Sequence, residues 1–315
     1  MVGETHVVVG AGPLGRAVVK RLRGAETTVR LVNRSAVDVV PEGVEFHQVD
    51  VRDAAAAAAA CADAAVVYDC VGLPYAEWTH GFPAITDGIR HGAAAAEARL
   101  VVADNLYAYG PTDGPLTERE PLAATDIKGR ARAQRAETYL QDSAVPVTIG
   151  RASNFFGPGV IDTAPLVDPF GAALRGDTVS ALGDLDSPHT FCYLPDFAAA
   201  LVTLGASERA FGEIWHVPHP ETTTIGAFLT MVFDAAGTEL RVRTAPWFIE
   251  ALLGLFDADV RELRAIKYQF TQPFVVDDSK FTRSFGATAT PLAEAVEATL
   301  AWHRSERAGE GTANP

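Results

Sequence analysis

One stretch near the start constrains the chain more than any other: Val7-Val8-Val9-Gly10-Ala11-Gly12-Pro13-Leu14-Gly15, followed by a helical pattern through Arg23. A run of β-branched residues reads as a buried strand, and G-x-G-x-x-G at its end reads as a turn into a helix. Gly10 makes the tight turn, Gly12 lets the backbone approach a pyrophosphate, and Gly15 lets the helix pack closely on the sheet. The helix then offers free N–H groups and a partial positive charge to the phosphates, with Pro13 and Leu14 beside them. This start predicts a dinucleotide site.

The rest of the first half repeats the alternation of apolar runs and helical patterns. Thr27 to Val32, Val44 to Val49, Ala65 to Tyr68, Leu100 to Ala103 and Val145 to Ile149 read as strands. Helices fit Asp53 to Asp63, which is almost pure alanine, and also Tyr75–Glu97 and Asp126–Gln141. Pro195 to Leu204 and Gly212 to Val217 return one more helix and strand. Such alternation predicts an α/β, doubly wound parallel sheet of the Rossmann kind. The dinucleotide-binding domain is expected over 1–157 plus 188–217, and a smaller, mainly helical substrate region over 158–187 plus 218–304. Pro273 to Val276 is strand-like, and 305–315 has no apolar residue of size and is expected to fray. No internal repeat is present.

Composition narrows the partners. With 48% hydrophobic and 21% charged residues the chain is globular in type. A formal net charge of -14 repels a phosphate backbone, so nucleic acid is not an expected ligand. No apolar run is long enough for a membrane span, and no secretory signal is visible. The three cysteines, Cys61, Cys70 and Cys192, lack C-x-x-C spacing. A reducing cytoplasm is the expected compartment. The histidines have no metal-ligand spacing and no G-x-S-x-G occurs, so neither metal chemistry nor acyl transfer is expected.

The second strand ends Leu31-Val32-Asn33-Arg34-Ser35. A carboxylate for the ribose hydroxyls is missing there, and Arg34 can pair with a 2′-phosphate, which favours NADP over NAD. Asp50 and Val51, after the third strand, are placed to meet the adenine, and Cys70, Val71 and Gly72 end the fourth strand where the cofactor would pass.

From this point the sequence resembles the extended short-chain dehydrogenase/reductases, the NAD-dependent epimerase/dehydratase family. Five segments carry the likeness along nearly the whole chain: the glycine loop, Leu100 to Gly110, Arg151-Ala152-Ser153-Asn154-Phe155-Phe156-Gly157-Pro158-Gly159, His189 to Asp196, and Phe285 to Leu292. The departures matter as much. The family's first loop glycine falls on Val9, its catalytic Ser or Thr on Asn105, and the Tyr and Lys of its Y-x-x-x-K on Lys128 and Arg132. The resemblance is therefore to the atypical branch, where the active-site set is often degenerate. Members similar to isoflavone reductase rely on a lysine without the tyrosine.

The resemblance implies Asn105, Lys128 and Arg132 as the catalytic set. Lys128 would be proton donor and cofactor contact, and Ala152 and Ser153 would touch the cofactor. Lys128 and Arg132 share a helix face, although a solvated basic stripe would look the same. Asn105 can orient a carbonyl or simply cap its turn. Substitutes for the missing tyrosine include Tyr75, Tyr107, Tyr109 and Tyr268. Trp78, Asn154 and Phe155 join Tyr75, Tyr107 and Tyr268 as candidate substrate contacts. The implied activity is an NADP-dependent oxidoreductase or epimerase acting on a small polar carbonyl or hydroxyl compound, with nucleotide sugars among the candidates. The alternative is an NADP-binding sensor that has lost catalysis. The family also pairs through two helices, corresponding to Tyr75–Glu97 and Asp126–Gln141, so a homodimer is expected.

Overall fold

A computed structural model describes residues 3–23, 27–74, 77–244 and 266–312. Seven strands build the central sheet: β1 (Thr5–Val9), β2 (Thr28–Asn33), β3 (Val44–Gln48), β4 (Ala64–Asp69), β5 (Arg99–Asn105), β6 (Val147–Ala152) and β7 (Ile214–His216). Their order across the sheet is β7-β6-β5-β4-β1-β2-β3, and every neighbouring pair is parallel. The order reverses between β1 and β4, which opens a crevice at the strand ends.

Pleating divides the valines of β1 between two cores. Val8 packs with α1 (Pro13–Leu22) and α6 (Leu194–Gly205) on one face. Val7 and Val9 pack with α2 (Ala54–Ala60), α3 (Trp78–Ala95) and α4 (Ile127–Leu140) on the other. The alanine run does fold as a helix: Asp53 caps it, accepting from the Ala55 and Ala56 N–H groups at 2.9 and 3.0 Å. It is shorter than Asp53 to Asp63, because Cys61 already leaves helical geometry.

The second region uses α5 (Pro169–Arg175), α7 (Ile225–Ala236), α8 (Tyr268–Thr271), α9 (Ser279–Phe285) and α10 (Leu292–Thr312). It is less purely helical than expected. Val179–Ala181 pairs with Leu166–Val167 on one side and Val242–Thr244 on the other. Pro273 to Val276 is extended but forms only isolated bridges, Phe274 with His189 and Val276 with Leu116. The expected fraying at 305 is not seen through residue 312, because α10 continues to Thr312. A core of Phe156, Phe170, Phe191, Phe228 and Val296 also takes in Trp78, Phe82 and Tyr107. Apolar burial thereby fastens this region over the crevice. Tyr75 lies outside the described residues.

Candidate functional site

Two of the three loop glycines are demanded by the protein's own backbone. Gly10 has φ +105°, and a Cβ there would lie 2.7 Å from the Cys70 carbonyl oxygen. A Cβ on Gly15 would lie 1.8 Å from the Gly10 carbonyl oxygen. Gly12 differs, since a Cβ there meets nothing within 4 Å. Its smallness serves something other than this chain, which is what a backbone cradle for a pyrophosphate requires. Pro13 opens α1, where its missing N–H costs nothing and the remaining N–H groups face outward. The loop fits a dinucleotide.

Asn33 ties the end of β2 to this loop: its Oδ1 accepts from the Ala11 N–H at 3.2 Å and its Nδ2 donates to the Ser35 carbonyl at 2.8 Å. Arg34 beside it is exposed. Asp50 is held by the Arg52 side chain, which donates from Nε at 2.9 and 3.0 Å. That bond, with a smaller contribution from the Arg34 charge, pulls its carboxyl down to about 2. Asp50 is thus a carboxylate already engaged by its own neighbour. The Val51 carbonyl packs against α3, 1.6 Å from where a Gly88 Cβ would be.

A cleft of about 420 Å³ runs from the glycine loop to the second region. Gly12, Pro13 and Leu14 line one end, and Cys70, Val71 and Gly72 follow from the end of β4. Asn105, Tyr107 and Trp78 line the middle, as do Ala152, Ser153, Asn154 and Phe155 after β6. Arg132 reaches it from α4. Two expected residues are not part of its lining. Lys128 is 3% exposed, buried at the first turn of α4. Tyr268 instead packs its ring against the cluster of Leu106, Tyr109, Leu116 and Phe274, because α8 turns the next residue, Gln269, toward the cleft. Gly10, Gly15, Asn33, Arg34, Asp50 and Val51 also lie off the cleft lining, in the loop's own packing or at the ends of β2 and β3.

Arg132 is 7% exposed and fixed from several sides. Its Nη1 donates to Asp104 Oδ1 at 3.2 Å, and its guanidinium lies 4.0 Å from the Trp78 ring and 4.4 Å from that of Phe82. Burial lowers it to about 10, with the Asp104 charge opposing. It remains a cation. Arg151 Nε donates to the other Asp104 oxygen at 3.1 Å. One turn on, Arg135 pairs with Asp69, which also accepts from Tyr139 Oη at 2.5 Å. Strands β4 and β5 therefore end in buried aspartates, each neutralised by an arginine of α4. The basic stripe expected as a solvated alternative is excluded for Arg132 and Arg135, which face inward; Arg130 is exposed.

Asn105 both lines the cleft and caps its turn, its Oδ1 accepting from the Tyr107 N–H at 3.1 Å. Tyr107 packs beside Trp78 with ring centroids 5.6 Å apart. Tyr109 is withdrawn from the cleft: its hydroxyl hydrogen-bonds His216 Nε2 at 2.9 Å, and burial pushes its hydroxyl up.

A histidine that the sequence did not mark joins the two regions. Asn154 Nδ2 donates to His189 Nε2 at 3.2 Å, which leaves the His189 proton on Nδ1, donating to the Gln269 carbonyl at 3.1 Å. Burial pushes this imidazole down to about 4, so it is neutral near pH 7. Its ring stacks on Phe274 at 5.4 Å. Ser153 Oγ donates to the Thr190 carbonyl, and its N–H donates to His219 Nε2 at 3.1 Å.

Residues 6–217 match the NAD dependent epimerase/dehydratase family. The chain belongs to this family. No curated protein matches the sequence. Among solved structures, the dTDP-glucose 4,6-dehydratase of Bacillus anthracis in complex with NAD is 15% identical, covering 97% of this chain and 98% of its own, with TM-score 0.77. DesIV, the dTDP-glucose 4,6-dehydratase of Streptomyces venezuelae with NAD and TYD bound, is 19% identical, covering 96% and 98%, with TM-score 0.75. The UDP-N-acetylglucosamine 4-epimerase of Methanobrevibacter ruminantium M1, in complex with UDP-N-acetylmuramic acid, is 15% identical, covering 97% and 100%, with TM-score 0.77. At these identities the likeness is one of fold. Among the described residues of this epimerase/dehydratase family member, no helix is long and apolar enough to cross a membrane.

Proposed function

We propose that the chain is an NADP-dependent oxidoreductase or epimerase of the epimerase/dehydratase family. Its substrate would be a small polar carbonyl or hydroxyl compound, with a nucleotide sugar the leading candidate by analogy with the substrates of its structural neighbours. The observation that carries the reading is the continuity of one cleft from Gly12, which has room for a phosphate, to Asn105 and Arg132 at the middle. A nicotinamide bound along it would supply or take a hydride. Asn105 would orient the reacting carbonyl or hydroxyl, and Arg132 would present a fixed positive charge to the oxygen as charge develops there. Lys128 is the candidate proton donor of α4, and it would have to swing out of its buried position to reach the substrate. Exposed Arg34 favours NADP through its pairing with a 2′-phosphate.

The test is NADPH oxidation over a panel of carbonyl compounds and nucleotide sugars, with and without Lys128→Ala. Turnover that Lys128→Ala removes while cofactor binding survives supports the enzyme.

A second reading, an NADP-binding sensor without catalysis, draws on two observations. Arg132 is engaged by Asp104 and two aromatic rings, and Lys128 is off the cleft lining. Tight NADPH binding with no turnover over the panel would favour it. A homodimer through α3 and α4 belongs to the same proposal, in keeping with the family, and so does a cytoplasmic location.

A further inference from the structure

Gln269 is an anomaly in the cleft wall. It is 1% exposed, and neither its Oε1 nor its Nε2 has a hydrogen-bond partner. The neighbouring Tyr268 hydroxyl feels the amide but lies outside hydrogen-bonding geometry, and it is unpartnered too. Among the described residues lining the cleft, Gln269 is the one side chain whose acceptor and donor are both buried and unpaired. Buried polar groups are almost always satisfied, and an exception needs a reason. Leucine would fill similar space here without the cost of stranding an amide.

The segment that carries the carboxamide is also held still. The Gln269 carbonyl accepts from His189 Nδ1, and the next carbonyl, of Phe270, accepts from the Asp184 N–H at 2.7 Å. Gly183, at φ +90°, comes so close that a Cβ there would lie 2.1 Å from the Phe270 carbonyl oxygen. Phe274 is fixed against the same segment, its N–H donating to the Pro188 carbonyl at 2.8 Å and its carbonyl accepting from Thr190 at 2.9 Å. A positioned acceptor and donor thus share a wall with a positioned flat ring.

We propose that Gln269 reads the substrate, and that the group it reads is the imide edge of a uracil or thymine ring. This deepens the proposed function and rests on it. A carboxamide presents C=O and N–H side by side in one plane, and an imide presents the complementary pair in the same spacing. A sugar would need many polar partners. This end of the cleft supplies mainly Phe155, Phe197, Phe274 and Ala164 around the amide, a lining that suits a planar heterocycle. Asn154, its Nδ2 already given to His189, sits across the same His189 bridge. A site built to pair a polar edge rejects the analogue that cannot pair.

The test is calorimetric titration of the full chain, first with NADPH and then, on the NADPH-loaded protein, with UDP, N3-methyl-UDP and ADP. UDP should bind at least roughly tenfold tighter than N3-methyl-UDP and ADP. Gln269→Leu should erase the difference between UDP and its methylated form, and Gln269→Glu, which keeps the shape and loses the donor, should weaken UDP by a similar factor. Without ligand, Gln269→Leu should melt at or above the wild-type temperature, since it removes a stranded amide. UDP binding that Gln269→Leu leaves unchanged overturns the assignment, as does a clear loss of thermal stability, which would mark a structural role such as pairing with Tyr268. Weakened NADPH with unchanged UDP would place the amide against the cofactor and also overturn it. Failure of NADPH itself to bind would instead sink the proposed function.

Discussion

Asp104 at the end of β5 and Arg132 on α4 form a buried ion pair at 3.2 Å, and the same carboxylate holds Arg151 through its other oxygen at 3.1 Å. One acid therefore answers two buried cations. Exchanging the carboxylate for its isosteric amide, Asp104→Asn, leaves both guanidinium groups short of charge. The expected loss is about 3–5 kcal/mol of folding stability, read from urea unfolding. A loss below about 1 kcal/mol would mean that water reaches the pair.

The glycine loop makes opposite predictions for neighbouring positions. Gly10→Ala and Gly15→Ala place a methyl group against backbone oxygen and should unfold or strongly destabilise the chain. Gly12→Ala should melt within a few degrees of wild type yet lose most of its dinucleotide affinity. A Gly12→Ala protein that binds NADPH normally would remove the cofactor from the loop.

Much of this arrangement is legible in the sequence. The valine run, the glycine spacing and the repeated strand patterns suffice for the sheet and the cleft's phosphate end, because they follow from local steric rules. The buried arginines were harder. K-G-R-A-R reads equally as a surface stripe, and only the sheet brings Asp69 and Asp104 beneath it. The signal was present as a carboxylate closing each of two apolar strands. Gln269 carried none. Tyr268 drew attention by its type, while a short helix turned the residue after it into the cleft.

Acid should loosen the fold through two imidazoles. Burial pushes His189 down to about 4 from its ordinary 6.5 and His216 to about 3. Between the ordinary value and these, the unfolded chain binds protons that the folded chain refuses. Stability from these groups is thus full above about pH 6.5 and falls as pH drops, toward about 4 for His189 and about 3 for His216. His189→Gln should be less stable near neutrality and show a shallower decline of its urea midpoint over that window. Parallel declines would show that His189 protonates freely in the folded state.

The proposed dimer has an exposed apolar residue at its centre. Ile127 opens α4 at 52% exposure and lines a groove between α3 and α4 with Thr79, Pro83 and Arg130. Ala136, by contrast, is buried against the sheet, so a charge there would test folding and not pairing. Ile127→Glu should convert the dimer to monomer without unfolding it, as measured by light scattering. Wild type that is monomeric at micromolar concentration would end the idea.

The central claim is that this cleft holds a nicotinamide dinucleotide whose 2′-phosphate meets Arg34. Direct titration of the purified chain with NADPH and NADH decides it. NADPH should bind at least roughly tenfold tighter, on the order of 1.4 kcal/mol for one charge-assisted contact, and Arg34→Ala should erase most of that margin. Equal affinities in the wild type, or a preference for NADPH that survives Arg34→Ala, would contradict the account.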